Sequence, residues 1–179
     1  MRKTEVHIFT IADYEEEEAF LREKHRSGWK LVDMTPPCFY VFEECEPEDV
    51  IYRLDFKNNE QSPEYMQMAA DFGWEYFAKC MGWLYFRKPA DPAAPEEDGE
   101  LFSDGASKAE MACRIVRQRV LPLTIIFLCI VVPNLLRAID GKMSAFWLWF
   151  YGIMFVLYVF LIVYSSFKLK RIRDRYPRN

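Results

Sequence analysis

Residues 145–167 read AFWLWFYGIMFVLYVFLIVYSSF, 23 residues with no charge, between Lys142 and Lys168. A bilayer core takes about 20 apolar residues per helix. A run this long and this apolar on every side keeps no polar face for water. A shorter uncharged run, VLPLTIIFLCIVVPNLL, covers Val120–Leu136 between Arg119 and Arg137. Together they predict a membrane hairpin, with one transmembrane helix over 120–138 and a second over 145–167. The alternative, a helical hairpin buried in a soluble core, is disfavoured by the length and all-round apolarity of the second run.

Charge divides the chain at the same place. Residues 1–110 carry 12 Lys/Arg against 25 Asp/Glu, and residues 111–179 carry 11 against 2. An acidic soluble part followed by a basic, apolar part is the pattern of a domain on an anchor. Lys168, Lys170, Arg171, Arg173, Arg175 and Arg178 follow the second run, and Arg114, Arg117 and Arg119 precede the first. The short loop between the runs has only Arg137 and Lys142, partly offset by Asp140, so the positive-inside rule places both termini in the cytosol. Trp147 and Trp149 near one end of the second run are expected at the interface, with Arg119, Lys168, Lys170, Arg171 and Arg173 at the headgroups. A basic tail directly beside a membrane helix favours anionic lipid over nucleic acid. The N-terminus has no long apolar core and reads as no signal peptide. Five cysteines without metal-ligand spacing argue against structural disulfides and for a reducing compartment. Pro122 is expected in the first turn of its span, where a missing N–H costs little. Asn134 is expected to hydrogen-bond across to the second helix or to the interface.

The soluble part, residues 1–89, matches itself at a shift of 45. EVHIFTI (Glu5–Ile11) falls on VIYRLDF (Val50–Phe56), and GWKLV (Gly28–Val32) on GWEYF (Gly73–Phe77). With a small gap, CFYVFEE (Cys38–Glu44) falls on WLYFRKP (Trp83–Pro89). Each unit reads strand, helix, strand, strand. The first helix is expected to open on Asp13 with Glu16 completing a capping box, its glutamate run solvated. The second opens on Ser62 with Pro63 at the first position, and Tyr65, Met68/Ala69 and Phe72 form its apolar stripe. Gly28 and Gly73 stop the helices. Tyr52, Leu54 and Phe56 alternate with Ile51, Arg53 and Asp55, as in a strand with one buried face. The predicted fold class is α+β: duplicated β-α-β-β units in one six-stranded, largely antiparallel sheet with two helices on one face, followed by the two-helix hairpin. Such duplicated units resemble the GyrI-like effector-binding fold, which leaves a cleft between its halves. Residues 90–107 form an acidic, Pro/Ala-rich linker. Within it, ELFSD (Glu100–Asp104) is either a docking segment or part of a free tether. SKAE (Ser107–Glu110) caps a juxtamembrane helix over 108–119, and residues 168–179 form the basic tail.

No nucleotide loop, zincin motif or Cys-x-x-Cys is present, and His7 and His25 are the only histidines. His7 is placed on a strand, matched with Tyr52. These absences imply no cofactor and no metal, and no catalytic residue stands out. The aromatics carry the interest. Two helices over six strands would leave one face uncovered, lining an apolar cleft, a protein-binding patch or a bilayer contact. Trp29, Tyr40, Trp74, Trp83 and Tyr85 are the candidates for stacking on a ligand, with Arg53 and Glu75 for polarity.

The stretches FTIADYEEEEAFLREKHRSGWKLV, YRLDF, DFGWEYF and GWLYFRK, followed by a linker and two membrane helices, resemble a bacterial family known as domain of unknown function 2812. The resemblance covers most of the chain through Lys88. It implies an accessory membrane protein of a bacterium, in a regulatory setting with PadR-type transcriptional regulators, and no catalytic residue. Three functions follow as expectations. The first is a membrane-anchored cytosolic module that binds a small apolar ligand or a protein. The second is a non-catalytic subunit of a larger membrane complex such as a transporter. The third is an enzyme acting on lipid-like substrates.

Overall fold

A computed structural model describes residues 1–36, 38–57, 62–91, 101, 105–141 and 143–175. The chain forms two compact units, Met1–Ser107 and Lys108–Asn179.

The first unit is α+β. Its elements in order are β1 (Arg2–Val6), α1 (Tyr14–Arg26), β2 (Trp29–Thr35), β3 (Phe39–Glu44), β4 (Val50–Phe56), α2 (Pro63–Asp71), β5 (Glu75–Cys80) and β6 (Trp83–Pro89). Both helices end where glycine permits the left-handed turn, at Gly28 (φ 83°) and Gly73 (φ 82°). At Gly28 a Cβ would also meet the Cys45 carbonyl oxygen at 3.1 Å. Ser62 caps α2 by accepting from the Tyr65 N–H. Asp13 stands at the N-cap of α1, but its side chain makes no cap bond. Its carboxylate turns back instead and accepts from the Thr10 N–H at 2.8 Å.

The strands form two three-stranded antiparallel sheets, β1-β3-β2 and β4-β6-β5, and not the single six-stranded sheet expected. β2 and β5 lie side by side, yet each is broken by a bulge, between Leu31 and Asp33 and between Tyr76 and Ala78. A bulge adds twist and interrupts the ladder, which accounts for two sheets meeting at an edge. The first strand also departs from the 45-residue shift. β1 ends at Val6, before His7, and pairing sets Val6 against Phe39 where Phe56 stands against Trp83. Val6 therefore corresponds to Phe56, and His7 has no counterpart in Tyr52.

The helices do not share one face. Successive strand residues point to opposite sides. Leu84 and Phe86 of β6 pack with Ala69 of α2 and with Trp74, whereas Tyr85 between them reaches Glu17 of α1. The second sheet is thus covered on both sides, and Tyr52, Leu54, Asp55 and Phe56 of β4 are all buried. Helix α1 also covers the first sheet, where Phe20 meets Tyr40 and Phe42. Met68 and Phe72, assigned to the inner stripe of α2, are exposed; Phe72 lies just past the helix end. Of the expected linker, residues 92–100 and 102–104 lie outside the described residues. Leu101 packs against the cluster under α2, so this residue of ELFSD docks on its own domain.

The second unit is helical. α3 (Gly105–Ile115), α4 (Leu121–Ile126) and α5 (Val132–Ile139) join into one unbroken helix through two wide turns, Val116–Val120 and Phe127–Val131. The juxtamembrane helix expected over 108–119 and the first span are therefore one element, which begins at Gly105, ahead of the expected cap Ser107. Pro122 sits in its interior, not in a first turn. A proline inside a helix lacks its N–H and crowds the carbonyl four residues back. Each wide turn lies just ahead of a proline, and Leu121 N–H bonds Val116 O while Val132 N–H bonds Phe127 O, the five-residue spacing that opens such a turn. After Gly141, α6 runs from Ala145 to Arg175, and Phe127 packs on Phe155 and Tyr158 of it. Asn134 bonds the Ile130 carbonyl of its own helix at 2.7 Å, not α6. The helices over Glu110–Ile139 and Ala145–Arg171 are long and apolar enough to cross a membrane.

Candidate functional site: a buried glutamate between two sheets

Four residues of α1 are buried, Tyr14, Glu17, Leu21 and His25. Their spacing of three and four places them on one face. Glu17 is 6% exposed. Its Oε1 accepts from the Tyr40 hydroxyl of β3 at 2.9 Å and from the Tyr85 hydroxyl of β6 at 2.8 Å. β3 and β6 are the central strands of the two sheets, so this carboxyl joins both halves of the domain. The Tyr85 hydroxyl also lies 3.6 Å from Met34 Sδ. One turn earlier, Tyr14 packs on Trp83, which packs on Phe56. Burial pushes the Glu17 carboxyl above its ordinary range, the Tyr85 and Tyr40 bonds oppose that, and the Asp13 charge adds to it. Burial, followed by the Glu17 charge, raises both tyrosines well above their ordinary 10 and lifts the neighbouring Cys80 thiol. The cluster is a carboxyl that holds its proton longer than a surface glutamate, ringed by aromatic side chains.

At the other end of α1, His25 Nδ1 lies 2.7 Å from the Tyr52 hydroxyl. Burial, then the Arg87 charge, lowers the His25 pKa, and burial pushes Tyr52 up to about 12. Arg87 forms a bidentate pair with Glu75, both bonds at 2.7 Å.

The structure gathers only part of the expected ligand set. Tyr40 and Tyr85 converge on Glu17, and Trp83 lies along the same face of the second sheet. Trp74 is on the opposite face, under α2. Trp29 is half-buried with Lys3 Nζ 3.8 Å from its ring centroid. Arg53 pairs with Glu18 at 3.2 Å, and Glu75 is committed to Arg87. The uncovered aromatic face expected of the sheet is the one α1 fills. Glu17 itself was hidden in a run read as solvated, since carboxylates are rarely buried. The usable signal was its spacing with Tyr14, Leu21 and His25. Glu18 is also not a solvated residue, because its carboxylate accepts from the Leu54 N–H at the edge of β4.

In the second unit Trp147 and Trp149 are exposed. Arg119 lies in the first wide turn, and Lys168, Lys170 and Arg171 continue α6. The side chain of Arg173 lies outside the described residues. All five cysteines are free thiols, and among the described residues no cluster of three His, Cys, Asp or Glu is placed to hold a metal.

The family described as "Protein of unknown function (DUF2812)" matches residues 13–126. The chain belongs to this family. The match opens at the start of α1, takes in the Glu17 cluster and continues into the first apolar helix. No curated protein and no solved structure matches the chain.

Proposed function

We propose that this member of the DUF2812 family is a membrane-anchored sensing or adaptor module, with both termini in the cytosol of a bacterium. The observation that carries the reading is the uncovered apolar surface of α6, where none of the most apolar 18-residue window is buried. Such a surface exceeds what a soluble monomer leaves in water and is ordinary lipid contact in a bilayer. Trp147 and Trp149 suit one interface, and Lys168, Lys170 and Arg171 suit anionic headgroups at the other. The sensing role is supported by the Glu17 cluster, a carboxyl hydrogen-bonded to the central strands of both sheets. A small apolar ligand carrying positive charge would find there a carboxylate and the rings of Tyr14, Tyr40, Trp83 and Tyr85. The shared element and strand order of the two halves supports an internal duplication, with ligand entry between them.

The second reading is an accessory subunit of a larger membrane complex, favoured by the burial of Tyr40, Trp74, Trp83 and Tyr85 in the core. A regulatory system of the PadR type remains the proposed setting, with no nucleic acid bound by this chain. One experiment separates the readings. The full chain in nanodiscs is melted with and without a lipophilic phosphonium cation. The sensing reading expects a higher melting temperature that Glu17→Gln abolishes. An unshifted melt, with a stoichiometric protein co-purifying from membranes, selects the accessory subunit. Labelling of a tag after Asn179 from outside intact cells contradicts the topology.

A further inference from the structure

The two sheets have four outer edges, and among the described residues three of them have groups set against them. At β4 the Glu18 carboxylate accepts the Leu54 N–H at 2.8 Å. β2 and β5 stand against each other. The fourth edge is β1. Glu44 N–H bonds Met1 O, and His7 N–H bonds Cys38 O. Antiparallel pairing alternates, so Met1, Lys3, Glu5 and His7 turn their backbone groups toward β3. Arg2, Thr4 and Val6 turn theirs outward, and these three residues are exposed. An open row of N–H and C=O groups is a template for another strand.

The charges on β1 specify which strand fits. Lys3 and Glu5 lie on the same side of the strand, 2.9 Å apart. In an antiparallel pairing of β1 with itself about Thr4, Lys3 stands opposite the partner's Glu5 and Glu5 opposite the partner's Lys3. Opposite charges then alternate both along and across the ladder, a favourable cross-strand arrangement. A parallel in-register pairing would set like charges against each other. The outward backbone groups fall in the same register, with Thr4 against the partner's Thr4 and Arg2 against the partner's Val6. The geometry points to an antiparallel ladder between the β1 strands of two copies of this chain, centred on Thr4. The contact is isologous, so it closes at a dimer.

Cysteine cross-linking of the full chain in native-like membranes tests the register. Residues directly opposite in a hydrogen-bonded antiparallel pair have Cα atoms about 5.5 Å apart, within disulfide reach. Thr4→Cys is expected to give a disulfide-linked dimer under mild oxidation. Arg2→Cys, facing the partner's Val6, should give none above the wild-type background of five native thiols. Equal yields from the two variants, or no dimer from Thr4→Cys, overturn the proposal. Thr4→Pro removes an outward N–H and leaves the β1–β3 ladder bonds in place. It should abolish the dimer that an amine-reactive cross-linker captures from the wild type, and a dimer that survives in this variant, melting as wild type does, places the contact elsewhere and also overturns the proposal.

Discussion

The two sheets share strand order and bulge position, yet their environments differ. In β4-β6-β5 both faces are covered, by α2 on one side and α1 on the other, and Trp83 through Phe86 are buried without alternation. In β1-β3-β2, among the described residues, only the face toward α1 is covered. Tyr40 and Phe42 are buried, while Phe39 on the other side is 42% exposed and Val6 58%. Identical topology therefore does not imply equal stability. The second sheet holds the core, and the first closes it from one side with a largely polar outer face, where Arg2 and Lys30 pair with Glu43. The Glu17 cluster lies where the covered faces of the two sheets meet.

This contrast can be broken most forcefully by truncating the same residue type in each sheet. Phe86→Ala should cost about 3–5 kcal/mol, as for a buried phenylalanine. Phe39→Ala should cost under about 1 kcal/mol, as expected of a substitution near the surface. Thermal melts of the full chain measure both, and similar losses would end the distinction between a core sheet and a half-open one.

The next largest effect concerns the link between the sheets. Glu17→Ala leaves two buried tyrosine hydroxyls without their acceptor and should cost about 2–4 kcal/mol. Glu17→Gln retains an acceptor oxygen and should cost less. Its pH dependence sharpens the test. The folded pKa of Glu17 is raised, so its contribution to stability is complete below the ordinary 4.5 and is lost as pH rises through the folded value. Subtracting the Glu17→Gln curve from the wild-type curve should show a decline in that window, and a flat difference would mean that the carboxyl is not buried as described.

His25 should act in the opposite sense. Its folded pKa is lowered, so the unfolded chain binds the extra proton, and stability should fall as pH drops below about 6.5. His25→Gln should flatten that slope.

The smallest effect is expected at the loop joining the halves, where Asp49 accepts bidentate bonds from both Arg22 and Arg26. These side chains are partly exposed, and solvent screens charge-assisted bonds in such places. Asp49→Asn should lower the melting temperature slightly without altering the Glu17 titration.

Local chemistry was legible in the residues themselves. Ser62-Pro63 opens α2, Gly28 and Gly73 end both helices, and the uncharged run from Ala145 to Phe167 lies within one helix. These features depend on neighbours within a few positions, through capping, left-handed backbone and continuous apolarity. The strand count was legible as well, because alternation and turn residues mark strands one at a time. The site was only half legible. Tyr40 and Tyr85 stood out as aromatics, but their acceptor did not, since a glutamate in EEEE carries no local mark of burial.

What the amino-acid sequence determined by itself was therefore the α+β class, the glycine ends of α1 and α2, the start of α2 and the apolar hairpin, all set by short-range preferences. Only the tertiary structure decided that the strands divide into two sheets and that α1 covers both. It alone decided that Glu17 loses its water to two tyrosines far away in the chain. Those outcomes depend on which surfaces meet, and burial of a polar group is stable only where partners from other strands supply the hydrogen bonds that water would have made.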